Sequence, residues 1–170
     1  MVTKSGELFV YYDSEAWRCS EHLTAMITDP QLSWHDTVAR TSPWHVPFPE
    51  RVWQASAGKG SSAVVTQAGH LYTCGQGRRD AGGRLGHGDG RVAVPQLTRV
   101  EPLLDEFVVE VVAAADHTVV RAASGAVYTF GLGERGVLGH GDYAPQRLPK
   151  RVLFESATLV PVAAHAPVSG

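Results

Sequence analysis

The sequence has few cysteines, almost no net charge and no long apolar run. Only Cys19 and Cys74 occur in 170 residues, too few for a disulfide framework, so we expect a cytoplasmic or nuclear location. Lys and Arg number 15 against 17 Asp and Glu, a formal net charge of −2, which argues against direct nucleic-acid binding. The longest nearly apolar stretch, residues 108–115, contains Glu110 and is too short to cross a membrane. The N-terminus carries no segment typical of a signal peptide.

Glycine is scarce in the first third of the chain, and tryptophan is absent from the rest. Of 18 glycines, only Gly6 precedes Gly58, whereas all four tryptophans lie at or before Trp53. The composition, 44% hydrophobic and 19% charged, is that of a globular protein. A regular, glycine-punctuated region therefore follows an N-terminal part of different character.

The glycine-rich region contains one pattern twice. Residues 69–89 read GHLYTCGQGRRDAGGRLGHGD, and residues 125–142 read GAVYTFGLGERGVLGHGD. Matching positions lie about 56 residues apart before the inserted loop of the first copy and about 53 apart after it, a spacing typical of repeat proteins. The shared signature consists of Gly69, Gly75, Gly77, Leu85, Gly86, His87, Gly88 and Asp89, matched by Gly125, Gly131, Gly133, Leu138, Gly139, His140, Gly141 and Asp142.

Each copy has the pattern of short antiparallel strands. Apolar runs flank a tight turn that ends in glycine, and this residue type tolerates the left-handed conformation of such turns. Three or four short strands in each recurring unit are typical of a β-propeller blade. The predicted strands are 52–57, 63–66 and 71–74 in the first copy and 108–113, 119–121 and 127–130 in the second.

Partial copies extend the series at both ends. Residues 3–11 align with residues 66–74, and residues 160–164 resemble residues 110–114. Apolar residues at helical spacing before Pro30 predict a short helix near residues 14–28. We divide the chain into a degenerate repeat with a helix and loop insertion (1–51), two repeats that each form one blade (52–107 and 108–158) and the truncated start of a further repeat (159–170).

These motifs resemble the repeat of the regulator of chromosome condensation family. The resemblance covers residues 52–152 well and implies a β-propeller in which each repeat forms one four-stranded blade. Since a closed ring needs four to eight blades, the predicted fold is all-β: a partial or fragmentary β-propeller of about three four-stranded blades. We favour a fragment of a longer protein over a short product completed by other chains or a stable partial propeller.

The resemblance implies protein binding, and because the sequence shows no catalytic constellation we expect no catalytic activity of the chain's own. Founding family members are guanine nucleotide exchange factors for a small nuclear GTPase, and many others are protein-interaction modules. We predict a non-enzymatic interaction module that binds another protein, with an exchange factor for a small GTPase, or part of one, as the first alternative and a structural subunit of a larger assembly as the second. Self-association or completion by other blades is a further expectation. The sequence offers no cofactor motif.

The recurring polar residues are interpreted as structural. We expect Leu85 and Leu138 to fill the seam between blades, and His87 and His140 to bond the backbone of a neighbouring blade. Two potential ligands for each copy are too few for a metal site. A triad of Ser61, His87 and Asp89 lacks the nucleophile-elbow motif of hydrolases, so we expect no catalytic residue, and Cys74 is interpreted as a buried small residue.

Partner contacts are predicted outside the repeated pattern. The inserted loop carries Arg78, Arg79 and Arg84, three arginines without counterparts in the second copy, and is suited to an acidic partner surface or to solvent. Trp34 and Trp44 lie in a proline-bearing loop, where they either pack on a blade or anchor a partner. Trp53 begins a strand and is assigned to the core.

Overall fold

The computed structural model describes residues 2–10, 44–76, 83–88 and 93–154. Within these ranges, β-strands form one two-stranded and two four-stranded antiparallel sheets, which confirms the all-β, partial-propeller prediction. The predicted helix near residues 14–28 lies outside the described residues. The strands are β1 (Leu8–Val10), β2 (Trp44–Val46), β3 (Val52–Gly58), β4 (Ser61–Thr66), β5 (Leu71–Gln76), β6 (Ala93–Arg99), β7 (Val108–Ala113), β8 (His117–Ala122), β9 (Val127–Gly131) and β10 (Gln146–Arg151).

The two four-stranded sheets are the blades. Blade 1 has the strand order β3-β4-β5-β6 and blade 2 the order β7-β8-β9-β10, each a meander of neighbouring strands. Blade 1 lies within residues 52–107 and blade 2 within residues 108–158, the two predicted repeats. The predicted hairpin glycines have positive φ, 79° at Gly69 and 83° at Gly125, as the tight turns require. Short 3-10 helices at Glu101–Leu103 and Glu134–Gly136 complete the described secondary structure.

The strands β1 and β2 form an N-terminal pair that packs on blade 1. Leu8 and Val46 are register partners, and both are buried with Val52 and Val64 of blade 1. The Val52 amide donates to the Gly6 carbonyl over 2.8 Å. The pair therefore abuts blade 1 at the beginning of β3.

The main core lies in the seam between blades 1 and 2. Ala63 and Val65 of β4 belong to one buried cluster with Val111 and Ala113 of β7, and Phe130 of β9 is also in it with no exposed surface. Burying one such aliphatic or aromatic side chain contributes about 1.5–3 kcal/mol. The two blades are thus held by a shared apolar core, as expected of repeats that cannot bury their cores alone.

Side chains of β3 bond to the backbone edge of β7. The Gln54 amide accepts the Val111 N–H over 2.9 Å and donates to the Val111 carbonyl over 3.1 Å. Ser56 Oγ accepts the Ala113 N–H over 2.9 Å. We call the Gln54 contact the amide clamp. Because an unpaired strand edge is a template for aggregation, these bonds protect β7 and fix the relative position of the blades.

The hairpin glycine of blade 1 also lies in the seam. The Gly69 carbonyl accepts the Val108 N–H over 2.9 Å, and a Cβ atom on Gly69 would lie 2.6 Å from the Phe107 ring. The Gly6–Val52 bond of the N-terminal pair has the same pattern. At Gly125, a Cβ would meet no atom within 4 Å. Gly69 therefore has a second role besides the turn: the absence of a side chain lets blade 2 pack closely against blade 1.

Candidate interaction surface

The signature loop of blade 1 packs against blade 2. Leu85 is buried, and a Cβ atom on Gly86 would lie 2.9 Å from the Phe130 ring. The Gly88 amide donates to the Arg147 carbonyl of β10 over 3.1 Å. Leu138, the equivalent of Leu85, is also buried. The glycines of this loop therefore allow close approach between the two blades.

Arg84 lies in the seam and not on an exposed loop. The residue is 4% exposed, and its Nη1 donates to the Ala115 carbonyl over 2.5 Å and lies 3.8 Å from the Asp116 carboxylate. The Arg84 carbonyl accepts the Thr118 hydroxyl over 2.8 Å. This burial differs from the partner contact that we expected of Arg84, because the chain turns inward just before Leu85. Arg78 and Arg79 lie outside the described residues, so their partner role stays a prediction.

The signature histidines contact a threonine of their own blade. His87 Nε2 lies 2.9 Å from Thr73 Oγ1, and His140 Nε2 lies 3.0 Å from Thr129 Oγ1. Each threonine hydroxyl also donates to the carbonyl of the signature leucine. The described contact of His140 is with its own blade, and the bond that we expected to a neighbouring blade's backbone stays a prediction. Burial, and then the nearby Lys150 charge, hold the pKa of His140 below its ordinary value.

The structure tests the prediction for Trp53 but not those for Trp34 and Trp44. Trp53 is 64% exposed, so its assignment to the core is wrong. A β-bulge after Val52 shifts the pairing with β4, and Trp53 lies on the face of β3 opposite the amide clamp. Trp44 begins β2, but its side chain and the whole of Trp34 lie outside the described residues, and their role as partner anchors stays a prediction.

A glutamate–tyrosine pair recurs in both blades and was missed at the sequence level. Tyr72 donates to Glu50 Oε1, and Tyr128 donates to Glu106 Oε1, each over 2.5 Å. In blade 1, His70 Nδ1 also lies 2.8 Å from Glu50 Oε2. The repeat spacing in the sequence could have revealed this pair. The two glutamates lie 56 positions apart, as do the two tyrosines, which is also the spacing of Gly69 and Gly125.

These contacts shift the pKa values of the paired groups. Burial, and then the hydrogen bond to the Glu50 carboxylate, raise the pKa of Tyr72 to about 12. The hydrogen bond to Glu106, and then burial, raise the pKa of Tyr128. Burial acts to raise the pKa of Glu50, but hydrogen bonds, the Tyr72 bond foremost, outweigh it and hold that pKa below its ordinary value. In each blade this hydrogen bond ties the chain before the first strand to the third strand.

The described residues offer no arrangement for covalent or metal chemistry. Cys74 has no exposed surface, and burial raises the pKa of its thiol to about 12, which leaves it unreactive. Ser61 is buried, His87 lies against Thr73, and Asp89 lies outside the described ranges. No group of three or more His, Cys, Asp or Glu side chains within the described part of the chain is placed to hold a metal ion.

The loop between β9 and β10 presents exposed side chains that could contact a partner protein. Tyr143 is 75% exposed and Val137 is 45% exposed, and Arg135, also exposed, has a φ of 63°. Asp142 Oδ1 accepts the Ala144 N–H over 3.0 Å and fixes the turn. We call Arg135, Val137 and Tyr143 the blade 2 loop surface. Exposed aromatic, aliphatic and arginine side chains on one ordered loop are typical of protein-binding sites.

The blade 2 loop surface corresponds in position to the predicted arginine loop of blade 1. Both loops connect the third strand of a blade to its fourth, β5 to β6 and β9 to β10. Tyr143 was not singled out from the sequence because a single tyrosine in a loop carries no pattern. The described residues contain no helix that is long and apolar enough to span a bilayer.

The fold and its seams define the class of the protein. Antiparallel four-stranded meanders that pack side by side through a shared core form a β-propeller-type repeat protein. Residues 68–121 and 124–166 match the Regulator of chromosome condensation (RCC1) repeat. The matches cover more than half of the chain, and the protein belongs to the RCC1 repeat family.

Curated relatives match the chain over a minor part of their own length. The Inhibitor of Bruton tyrosine kinase from Mus musculus is 53% identical over 72 residues, which are 42% of this chain and 5% of the relative. The Protein RCC2 homolog from Danio rerio is 34% identical over 110 residues, 64% of this chain and 21% of the relative. The chain therefore spans about a fifth or less of the length of these relatives.

Solved propeller structures share the fold. Human WBSCR16 superposes with a TM-score of 0.66 and 24% identity over 90% of this chain and 36% of that protein. The yeast RCC1 protein Prp20, in its complex with Kap60, superposes with a TM-score of 0.63 and 24% identity over 92% of this chain and 35% of its own. At this identity the likeness establishes the fold alone.

Proposed function

We propose that the chain is a non-enzymatic protein-interaction module whose blade 2 loop surface contacts a partner protein. The observation that carries the proposal is the exposure of Tyr143, at 75%, on a loop held by the Asp142 turn. A rigid aromatic on an ordered loop binds with little loss of conformational entropy. Packing within the blades and in the seam accounts for the buried signature residues, whereas the side chains of the blade 2 loop surface are exposed. The partner contact predicted for Arg78 and Arg79 would add to this interaction.

The test is comparative proximity labelling in cells with matched variants. The double variant R135A/Y143A removes the guanidinium and the aromatic ring of the blade 2 loop surface. The control variant D105A removes an exposed side chain that precedes β7, at the opposite end of blade 2. We expect partners labelled by the wild type to be lost in R135A/Y143A and kept in D105A. Equal labelling by both folded variants would assign the contact to another surface, and no enrichment over an unrelated protein would refute the module itself.

Guanine nucleotide exchange on a small GTPase is the alternative function. One solved neighbour is described as Prp20p with binding properties to Gsp1p and histones, and that protein shares 23% sequence identity with this chain. The likeness supports the alternative through the fold only. A fluorescent-nucleotide release assay with a panel of small GTPases separates the two functions, since a pure interaction module leaves the release rate unchanged.

A further inference from the structure

The outer strand of blade 2 ends in a surface patch that is both basic and apolar. β10 is the last strand of its sheet, and among the described strands it pairs only with β9. Lys150 and Arg151, at the end of β10, are exposed. Leu153 and Phe154, which follow it, are 81% and 72% exposed. We call Lys150, Arg151, Leu153 and Phe154 the rim patch.

Blade 1 carries different side chains at the same positions. Equivalent backbone hydrogen bonds, from Val152 to Val127 and from Val100 to Leu71, align the ends of the two outer strands. The blade 1 residues that align with the rim patch are, in order, Thr98, Arg99, Glu101 and Pro102. The two blades share only the arginine, so the second cation and both apolar side chains belong to blade 2 alone.

The positions of Leu153 and Phe154 face solvent even where a following blade is in place. In blade 1, which has blade 2 packed beside it, Glu101 and Pro102 are exposed. Val100 and Leu103, on either side of them, are buried in the seam core. Packing between blades therefore places no demand for apolar side chains at these two positions. Exposed apolar side chains grouped beside polar ones are typical of an interaction site.

The cations of this strand end have no acidic partner among the described residues. Residues 143–154 contain no Asp or Glu but three cations, Arg147, Lys150 and Arg151. The ion pairs of the described residues include none of these cations. The Glu106 carboxylate, which lies near Tyr128 as Arg151 does, already accepts the Tyr128 hydroxyl. The charge of the rim patch is therefore complementary to a ligand that carries carboxylates.

The edge of β10 also offers backbone groups. The Val152 N–H donates to the Val127 carbonyl over 2.8 Å and therefore points toward β9. Because successive residues of a strand direct their backbone groups to opposite edges, the Arg151 N–H and carbonyl point away from the sheet. An extended peptide can pair with such an edge, whereas a lipid surface has no backbone to pair. The edge thus favours a peptide as the ligand.

We propose that the rim patch binds an acidic, extended segment of a partner protein. Carboxylates of the segment pair with Lys150 and Arg151, and an apolar side chain of the segment covers Leu153 and Phe154. Pro149 has no N–H to donate and confines backbone pairing to Arg151 and the residues after it. The blade 2 loop surface precedes β10 and the rim patch follows it, so this contact is separate from that of the proposed function.

Fluorescence anisotropy with the full chain tests the proposal. The probe is a short fluorescein-labelled peptide in which Asp and Glu alternate with Leu and Phe, and a matched peptide has Lys in place of every acid. We expect the acidic peptide to bind with a dissociation constant of roughly 100 μM or tighter at about 0.1 M salt, and more weakly at about 1 M salt. K150E/R151E should weaken binding at least about tenfold. L153E/F154P, which takes the side chains of Glu101 and Pro102, should weaken it by about the same factor.

Matched variants separate the rim patch from net charge and from the blade 2 loop surface. K4E/K59E makes the same change in net charge at exposed lysines before β1 and in the β3–β4 turn, and it should keep the affinity for the peptide. R135A/Y143A should also keep it, so this proposal and the proposed function can fail independently. Thermal unfolding followed by circular dichroism shows that each variant is folded.

Several results would overturn the proposal. Equal binding of the acidic and the lysine peptides would remove the charge argument, and unchanged affinity in either folded rim patch variant would place the peptide elsewhere. Binding to vesicles that contain phosphatidylserine, without binding to the acidic peptide, would identify a membrane surface as the ligand. Self-association of the wild type that L153E/F154P abolishes would identify a second copy of the chain.

Discussion

Replacing a hairpin glycine with alanine should separate the cost of the turn from the cost of the seam. Gly69 and Gly125 are equivalent turn residues with φ of 79° and 83°. A Cβ atom at Gly69 would lie 2.6 Å from the Phe107 ring, whereas at Gly125 it would meet nothing within 4 Å. The pair G69A and G125A therefore differs in one physical respect, the contact with the next unit.

The expected magnitudes follow from these geometries. Alanine in the left-handed region costs about 1–2 kcal/mol at either site. At residue 69 the methyl group also displaces the Phe107 ring, which is 53% exposed and can move toward solvent, so the added cost is at the low end of the overpacking range, about 1 kcal/mol. We thus expect G69A to lower the free energy of unfolding by about 2–3 kcal/mol and G125A by only the turn term. The difference between the two losses in free energy of unfolding measures the cost of the contact with Phe107 in the seam.

Urea unfolding, followed by circular dichroism, provides the assay. The double variant G69A/F107A removes the ring that the new methyl group meets, so its loss relative to F107A alone should fall to the G125A value. If G69A and G125A agree within about 0.5 kcal/mol, the limit of ordinary additivity, then the glycine is required by its turn alone. The inference that Gly69 admits the next unit would then be refuted.

Two further predictions concern buried hydrogen bonds. Q54A should destabilise the protein by about 1–3 kcal/mol, because it leaves the Val111 N–H and carbonyl unpaired in the seam. Hydrogen exchange of the Val111 amide should accelerate in Q54A and stay unchanged in the control Q96A, which alters an exposed site. An unaffected Val111 amide in Q54A would refute the amide clamp. The pKa of Tyr72 is raised from 10.0 to about 12, so the unfolded chain loses this proton at a lower pH than the folded chain. Stability should therefore fall as pH rises from 10 to 12, and Y72F should remove that part of the fall. At pH 10 the folded wild type and Y72F should show the same phenolate absorbance, and a larger absorbance in the wild type would contradict the shift.

The strands were predictable because they repeat. Alternation around the glycine turns gave β3, β4, β5 and their equivalents in blade 2 nearly to the residue. The fourth strands, β6 and β10, were not located, since Pro95 and Pro149 interrupt their pattern. Proline is tolerated there because a fourth strand has an open edge in the described sheets.

The candidate site was less predictable because contacts across the seam depend on three-dimensional placement. Arg84 belongs to an inserted loop that carries three arginines, and nothing in the sequence predicts that Arg84 is buried. Trp53 is the opposite case, a residue predicted to be buried that is exposed. Its place in a strand suggested burial, but a strand residue is buried only when another sheet packs on its face. The Glu50–Tyr72 pair could have been found by extending the 56-residue comparison upstream of the glycine turn.

The matched repeat and the folded sheet are out of phase. The first match, residues 68–121, begins in the turn before β5 and ends in β8, so it contains the second half of one sheet and the first half of the next. A gene duplication that copied this stretch would insert one whole junction together with the residues that recognise it on either side. An array of such units would therefore lengthen or shorten by one unit without leaving any strand half-matched.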